Sequence, residues 1–240
     1  MSNSTSPRAR PLGTFPGFDP RAQAWQAADQ GLSAVGSQWL KPEPFRRLWS
    51  GIVDWKQEDN QGDELDANRR QAAVLIPLVM RPEGLRVMLT QRTAHLTNHG
   101  GQISFPGGRV EADDATPVDA ALREALEETG LPPSHVEVLG AMPEYATTSG
   151  FVVTPVVGLV NPGFELAPEA CEVAEVFETP MEFLMNPVNH RLYEFTFPDG
   201  HVRHYFAMSW ERHFIWGATA GMLRNLYRTL YGAMPAVVHQ

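Results

Sequence analysis

The chain has 240 residues, 43% of them hydrophobic, which is enough to bury one sizeable core and favours one elaborated domain over two. Its formal net charge of -9, without a basic cluster, argues against a nucleic-acid partner, because phosphate-backbone binding relies on clustered Lys and Arg. The sequence shows neither a secretory signal nor the roughly 18 apolar residues of a membrane span, so we expect a soluble, cytoplasmic protein without a membrane partner. The single cysteine, Cys171, excludes an internal disulfide and a Cys-type zinc site, and we expect it to be a small buried hydrophobe.

The N-terminal part of the chain differs in composition and in its pattern of apolar residues from the rest. Residues 1–20 are rich in Ser, Pro, Arg and Gly, bury little apolar surface, and are predicted to form a mobile arm. Residues 22–32 and 42–52 place apolar side chains at helical spacing, which predicts two short helices. The polar residues 56–70 are predicted to be a solvated linker. We therefore expect residues 1–70 to form an arm and a helical extension.

From residue 71 onward, strand-like runs alternate with helical patterns, and we assign residues 71–240 to the main domain. A Pro-Glu-Gly turn separates the first two strand candidates and a Pro-Asp-Gly turn the last two. Because strands and helices interleave without a regular repeat, we expect an α/β fold in which helices cover a mixed sheet. The predicted strands are residues 73–79, 85–90, 135–142, 152–160, 191–197 and 202–210. The predicted helices are Pro117–Thr129 and residues 218–231, with residues 172–177 and 181–185 as candidates for a further short helix.

The helix Pro117–Thr129 has its own start and stop signals. A threonine precedes it as a cap, proline suits its first turn, and Gly130 suits a left-handed stop just past its end. At about 100° per residue, Glu124, Glu127 and Glu128 fall within one sector and the apolar residues fall opposite. One face of this helix is therefore predicted to pack, and the other to collect negative charge.

Folding alone gives little reason for this acidic face. Each pair of acids three or four residues apart costs about 0.2–0.5 kcal/mol, and the helix dipole disfavours acids near a C-terminus. A divalent cation such as Mg²⁺ gives a reason, because hard cations bind carboxylate oxygens. The alternative is an ordinary solvated acidic face. The pair Gly107 and Gly108 ahead of the helix favours the metal site, since glycines let the backbone approach a ligand closely.

The acidic helix belongs to a longer motif. Residues 123–131, R-E-A-L-E-E-T-G-L, resemble the second half of the Nudix box, R-E-U-x-E-E-x-G-U, if Ala125 is accepted as the aliphatic U. The loop ahead of the helix is one residue longer than the general pattern. Counted forward from Gly108, the isolated acid of the box falls at Asp114; counted back from the helix, it falls at Ala115.

The longer loop resembles a trait of the coenzyme A pyrophosphatase branch of the Nudix superfamily, which tends to have an Asp there. Residues 89–96 and 101–108 resemble the additional signature of that branch. The similarity continues through residues 149–155 and 172–177. It covers the chain from about residue 71 to residue 231.

The resemblance implies a Nudix-type α/β/α sandwich with a mixed β-sheet and a site for Mg²⁺ or Mn²⁺. Glu124 and Glu128 would be the principal metal ligands, and Glu127 a further ligand with a catalytic role. An orienting or merely solvated Glu127 is the alternative. Arg123 would orient one of these carboxylates and reduce their repulsion.

The remaining roles implied by the resemblance are catalytic and substrate-binding. Glu172 would be the general base that reaches the attacking water, with Glu169 and Glu175 as alternatives and a plain surface location as another. Arg92 would pair with a substrate phosphate through its planar guanidinium, although a surface ion pair explains it equally well. Gly107 and Gly108 would contribute backbone groups to the same site.

The implied reaction is hydrolysis of a pyrophosphate linkage in a small nucleoside diphosphate derivative. In the coenzyme A branch, the products are 4'-phosphopantetheine and adenosine 3',5'-bisphosphate. A Nudix hydrolase of ADP-ribose, a dinucleotide or an oxidised nucleotide is one alternative, because the box supplies chemistry and the rest of the pocket supplies specificity. A non-catalytic nucleotide-binding regulator on the same fold is another. Dimers are frequent in the family, so a homodimer is compatible with the resemblance.

Overall fold

The computed structural model describes residues 12–29, 31–58, 69–94 and 100–235. The described residues form two β-sheets, four α-helices and several short 3-10 turns. The strands are β1 (Ala24–Ala27), β2 (Arg70–Arg81), β3 (Gly84–Arg92), β4 (Ile103–Ser104), β5 (Gly107–Arg109), β6 (Val136–Ala141), β7 (Tyr145–Ala146), β8 (Phe151–Val160), β9 (Val173–Pro180), β10 (Arg191–Thr196), β11 (Val202–Trp210) and β12 (His213–Trp216). The helices are α1 (Pro42–Ser50), α2 (Pro117–Thr129), α3 (Met181–Leu184) and α4 (Ala218–Ala233). None of these helices is both long and apolar enough to cross a membrane.

The larger sheet is mixed, as the sequence predicts. Its strand order is β4-β3-β2-β8-β6, with β5 added to β2, β7 to β8 and β9 to β3. Strands β2 and β8 run parallel, and the other neighbouring strands run antiparallel. Strand β2 lies at the centre and is buried along most of its length, which suits its Val-, Leu- and Ile-rich sequence.

Helices cover both faces of this sheet. Side chains alternate along β2, so Ala73 and Leu75 pack against the buried alanines of α2, whereas Ile76 and Leu78 belong to the core on the opposite face. That opposite core also contains the buried leucines of α4 and the apolar face of α1. The result is the predicted α/β/α sandwich, and of the described helices only α2 lies on the face that carries the acidic residues.

The smaller sheet has the order β1-β10-β11-β12 and is antiparallel throughout. Its β1 lies within residues 22–32, where a helix was predicted, and that prediction is wrong. Two apolar residues at helical spacing are a weak signal, and pairing with β10 decides the conformation of Ala24–Ala27. The predicted mobile arm is wrong over residues 12–20, because Phe15 and Phe18 pack edge-to-face against Phe195.

Three further predictions need correction. Residues 172–177 do not form a helix. Strand β9 occupies most of them and pairs antiparallel with β3. The part of the predicted linker before residue 59 packs along α4, where the backbone N–H of Glu58 donates to the Asn225 side chain at 2.9 Å. Cys171 is exposed rather than buried. The domain division after residue 70 stays a prediction.

Candidate functional site

Helix α2 forms because its two ends are locally defined and its apolar face is covered. At its start, Thr116 Oγ1 accepts from the Asp119 backbone N–H at 3.3 Å, and Pro117 needs no hydrogen-bond acceptor. At its end, Gly130 adopts a left-handed conformation with φ 75°. The predicted bounds of this helix are therefore confirmed, and the positions of its acids are fixed by helical geometry.

The glycine turn lies directly beneath the acidic face. In the pairing of β5 with β2, Gly107 and Gly108 lie opposite Val74 and Ala73. A Cβ atom at Gly108 would overlap the carboxylate of Glu124, and one at Gly107 would overlap the β2 backbone. The backbone N–H of Gly107 donates to Glu128 Oε2 at 3.2 Å. Two of the three predicted metal ligands therefore lie against this turn.

Glu128 is the most perturbed acid of the site. Its side chain is only 7% exposed, and burial raises the pKa of its carboxyl from 4.5 to about 7. The hydrogen bond from Gly107 and the charge of Arg92 oppose this shift, whereas the negative charges of Glu124 and Glu172 add to it. Near neutral pH, the contacts from Gly107 and Arg92 do not fully offset the cost of burying the charged Glu128 carboxylate. A bound cation would offset the rest of that cost.

Glu124 and Glu127 share a contact with Arg123 but differ in burial. Burial raises the pKa of Glu124, whose side chain is 17% exposed, and the ion pair with Arg123 at 3.1 Å lowers it again. Glu127 also lies 3.1 Å from Arg123, but its side chain is 58% exposed. Helical geometry thus turns Glu127 further toward solvent than its two neighbours.

Arg123 is anchored by an acid to which the sequence pattern assigned a position but no role. Its Nε and Nη2 donate to the two oxygens of Asp114 at 3.0 and 2.9 Å, which is a bidentate pair. Its Nη2 also donates to the Arg109 carbonyl at 3.1 Å. The hydrogen bonds from Arg123 hold the pKa of Asp114 below its usual value. Asp114 therefore positions Arg123, and its sequence signals were the extra residue in the loop and the Asp that the resembling branch tends to have there.

Arg92 connects the helix with the loop that carries the proposed base. Its Nη1 lies 3.3 Å from Glu128 and its Nη2 lies 3.7 Å from Glu172. Backbone hydrogen bonds fix this loop: the Thr93 N–H donates to the Glu172 carbonyl at 2.9 Å, and the Glu169 N–H donates to the Glu128 carbonyl at 3.1 Å. Glu172 is 49% exposed, so its carboxylate is accessible to solvent at the edge of the site.

The other two candidates for the base are placed differently. The Glu169 side chain caps its own loop, where Oε1 accepts from the Cys171 N–H at 3.3 Å. Glu175 lies in β9 and pairs with Arg212 at 2.6 Å and His213 at 3.3 Å, in the smaller sheet. Of the three, Glu172 alone is linked to the acidic helix through a shared arginine.

The donors fit a hard divalent cation in kind but are not gathered around one point. Within the described residues, no three His, Cys, Asp or Glu side chains are arranged to hold a metal ion together. Glu124 and Glu128 of α2 place carboxylate oxygens against Gly107 and Gly108, and oxygen is the donor that Mg²⁺ and Mn²⁺ prefer. Arg92 and Arg123 hold these carboxylates in the structure.

Comparison with known proteins decides the family. Residues 69–197, more than half of the chain, match the NUDIX domain family. The chain belongs to the Nudix family. A relative from Citrobacter koseri, described as an uncharacterized Nudix hydrolase NudL, is 48% identical over 162 residues, which is 66% of this chain and 82% of the relative. The NudL of Escherichia coli strain K12 is 46% identical over the same shares of the two chains.

A solved structure shares the family but is more distant. The Nudix hydrolase RenU from M. smegmatis is 22% identical, with a TM-score of 0.47 over 77% of this chain and 98% of that chain. The predicted fold class and enzyme class are confirmed: the protein is a Nudix hydrolase, of the class that cleaves pyrophosphate linkages and generally uses divalent metal ions.

Proposed function

We propose that this Nudix hydrolase cleaves the pyrophosphate linkage of coenzyme A or acyl-coenzyme A, with Mg²⁺ or Mn²⁺ as cofactor. The observation that carries the metal-dependent chemistry is the contact of both Glu124 and Glu128 with the Gly107–Gly108 turn. The resemblance of residues 89–96 and 101–108 to the coenzyme A signature supports the substrate. The lone cysteine fits the reducing cytoplasm, where we place the reaction.

The acids of α2 would hold the cation. Metal binding would explain an acidic face that does not itself stabilise the fold. Glu124 and Glu128 would be the principal ligands, and Glu127 a further one that leaves Arg123 on binding. A cation held there neutralises charge on the diphosphate and polarises the attacking water. Because burial raises the pKa of Glu128 to about 7, a nearby positive charge would draw its proton off at neutral pH.

The surrounding residues would orient the substrate and move one proton. Arg92 pairs with two carboxylates in the structure and has the planar donor geometry that a phosphate requires. Glu172 would accept a proton from the attacking water, whose oxygen bonds to phosphorus as the bond to the bridging oxygen breaks. The leaving phosphate takes the bridging oxygen, so the two products are phosphate monoesters.

A substrate panel tests this assignment. The purified protein would be incubated with Mg²⁺ and, separately, with coenzyme A, acetyl-coenzyme A, ADP-ribose, a diadenosine polyphosphate and an oxidised nucleoside triphosphate. We expect 4'-phosphopantetheine, or its acetyl form, and adenosine 3',5'-bisphosphate from coenzyme A or acetyl-coenzyme A, with a kcat/KM for one of these two at least about tenfold above that for the other three compounds. Cleavage of ADP-ribose with coenzyme A left intact would contradict the substrate.

The same panel separates the enzyme from a nucleotide-binding regulator. A regulator would bind one of these nucleotides without turnover, in the presence or absence of Mg²⁺. The intact set of box acids and Arg123 favours turnover. Chelator-treated protein provides the matched control, since the proposed reaction stops there and resumes when Mg²⁺ is restored in excess.

A further inference from the structure

The smaller sheet carries a cavity to which the Nudix reaction assigns no role. Its volume is about 230 Å³, and its described lining combines arginines from three separate segments with aromatic and hydroxyl side chains. Arg21 comes from the N-terminal segment, Arg191 from the start of β10, and Arg212 from the turn between β11 and β12. The lining consists of Arg21, Arg191, Tyr193, Ser209, Glu211, Arg212, His213 and Phe214.

Two of these arginines are held by contacts that leave their charge uncompensated by any described acid. Arg21 lies over the Phe214 ring at 5.3 Å, and its Nη2 donates to the Arg212 carbonyl at 3.2 Å. Arg191 lies over the Trp25 ring at 4.1 Å. Stacking on aromatic rings fixes the guanidinium planes but leaves most of their N–H donors free for an anion.

The third arginine, Arg212, is exposed and already paired with an acid. Arg212 pairs with Glu175 at 2.6 Å, and His213 Nε2 lies 3.3 Å from the same carboxylate. The His213 ring stacks on Phe177 at 3.6 Å, and its side chain is only 5% exposed. Its Nδ1 has no hydrogen-bond partner among the described residues and has almost no accessible surface, so it is enclosed by the protein and is not presented to the cavity.

The turn that presents Arg212 is conformationally strained. Glu211, with φ 51°, is the single described residue other than glycine in the left-handed region. A positive φ at a two-residue hairpin turn is more usual for glycine or asparagine. Glu211 is the one acid among the described lining residues, and Glu175 pairs with Arg212 from outside the lining, so three arginines stand against two acids. The cavity is thus locally positive on a chain whose net charge is -9.

We propose that this cavity, the Arg21–Arg191–Arg212 pocket, binds the phosphate group of a small molecule at a second site. Arginine forks match phosphate oxygens, and Ser209 adds a hydroxyl group to the same lining. The pocket is separate from the acidic helix. Strand alternation places Glu175 with Phe177 on the face toward the opposite core, while Val176 faces α2. A phosphate held in this pocket would therefore lie on the opposite side of β9 from the diphosphate that the α2 site would cleave.

Equilibrium dialysis with radiolabelled inorganic phosphate tests the pocket directly. The full chain would be measured with excess chelator, so that no metal at α2 recruits the anion, and at constant ionic strength. We expect saturable binding at one site per chain. Arg191→Gln and Arg21→Gln should each weaken it about tenfold, since each removes a charge-assisted hydrogen bond. Acetate at equal concentration should compete poorly.

Matched variants make the result decisive. Arg47→Gln changes an exposed arginine of α1 by the same charge and should leave phosphate binding unchanged. Glu128→Gln, in the acidic helix, should also leave it unchanged, so this test stands or falls independently of the substrate panel. The two pocket arginines lie in different elements, and a thermal melt identifies a variant that fails to fold. Absence of saturable binding, or equal weakening in Arg47→Gln, would overturn the proposal.

Discussion

Two clusters of charged side chains lie on opposite faces of the larger sheet, and they differ in how their charges balance. The Arg224 network joins α4 to the N-terminal residues: buried Arg224 binds both Asp29 and Glu58, and Arg228 lies beside them. The carboxylate site has Arg92 and Arg123 as its described cations. Against them stand five acids, namely Asp114, Glu124, Glu127, Glu128 and Glu172.

The balanced Arg224 network has a structural role, because it holds the N-terminal residues against α4. Two arginines meet two acids, and His190 is held neutral because burial lowers its pKa from 6.5 to about 4. Its Nε2 lies 2.7 Å from the Leu184 carbonyl and its Nδ1 lies 3.1 Å from Arg224, which suits the tautomer that donates from Nε2 and accepts at Nδ1. The carboxylate site, by contrast, retains excess negative charge. The unbalanced cluster is therefore the one for which we propose a cation.

The largest effect is expected when the balanced network is broken. Arg224→Met would leave Asp29, whose side chain is 8% exposed, with only the weaker contact to Arg228. Removal of one partner from a buried ion pair costs about 3–5 kcal/mol of unfolding free energy. Denaturant unfolding of the variant and of Arg47→Gln measures the difference. A loss as small as that of Arg47→Gln would show that the network does not fasten the N-terminal residues.

Substitutions in the carboxylate site should lower catalytic activity rather than stability. Glu128→Gln removes a proposed metal ligand while it keeps the side-chain volume, and kcat should fall at least about a hundredfold on the best substrate of the panel. Glu182→Gln, at an exposed position of α3, is the matched control and should keep full activity. Full activity in Glu128→Gln would show that Glu128 is not a metal ligand.

The two clusters should also give pH dependences of opposite sign. For His190 the pKa in the folded state, about 4, lies below the ordinary 6.5, so its stabilising contribution is present above pH 6.5 and is lost as pH falls toward 4. The unfolding free energy should decrease over this range by about 2–3 kcal/mol from this group. Unfolding curves of wild type and His190→Gln would be compared across it. Parallel curves would contradict a buried neutral histidine.

For Glu128 the pKa in the folded state is raised, so the sign reverses. The protonated form stabilises the fold fully below pH 4.5, and that contribution is lost as pH rises through about 7. Metal-free Glu128→Gln should therefore be more stable than wild type by about 3 kcal/mol at pH 8, and similar to it at pH 4.5. Unfolding in chelator at both values measures this. Equal stability at pH 8 would mean that Glu128 is already compensated without a cation.

Local signals in the sequence account for what could be predicted. The bounds of α2 follow from Pro117 and Gly130, and the hairpin of β2 and β3 follows from apolar runs around a glycine turn. Strands β1 and β9 could not be found in the same way, because their conformation depends on the edges of β10 and β3, which lie far away in sequence.

The same division applies to the functional residues. Helical spacing placed Glu124 and Glu128 on one face, and the preceding glycines indicated a close approach. The bridge from Arg92 to Glu128 and Glu172 joins three distant segments, so sequence spacing does not contain it. The Arg21–Arg191–Arg212 pocket was missed for the same reason, since no two of its arginines are neighbours in sequence.

Binding of Mn²⁺ to the metal-free protein, followed by electron paramagnetic resonance, tests the central claim most directly. In our proposal, the carboxylates of α2, which carry excess negative charge, bind a divalent cation. Wild type and Glu182→Gln should bind Mn²⁺ with the same affinity, and Glu124→Gln and Glu128→Gln should each weaken binding at least about tenfold. Equal Mn²⁺ affinity in all four proteins, or no binding by the wild type, would contradict it.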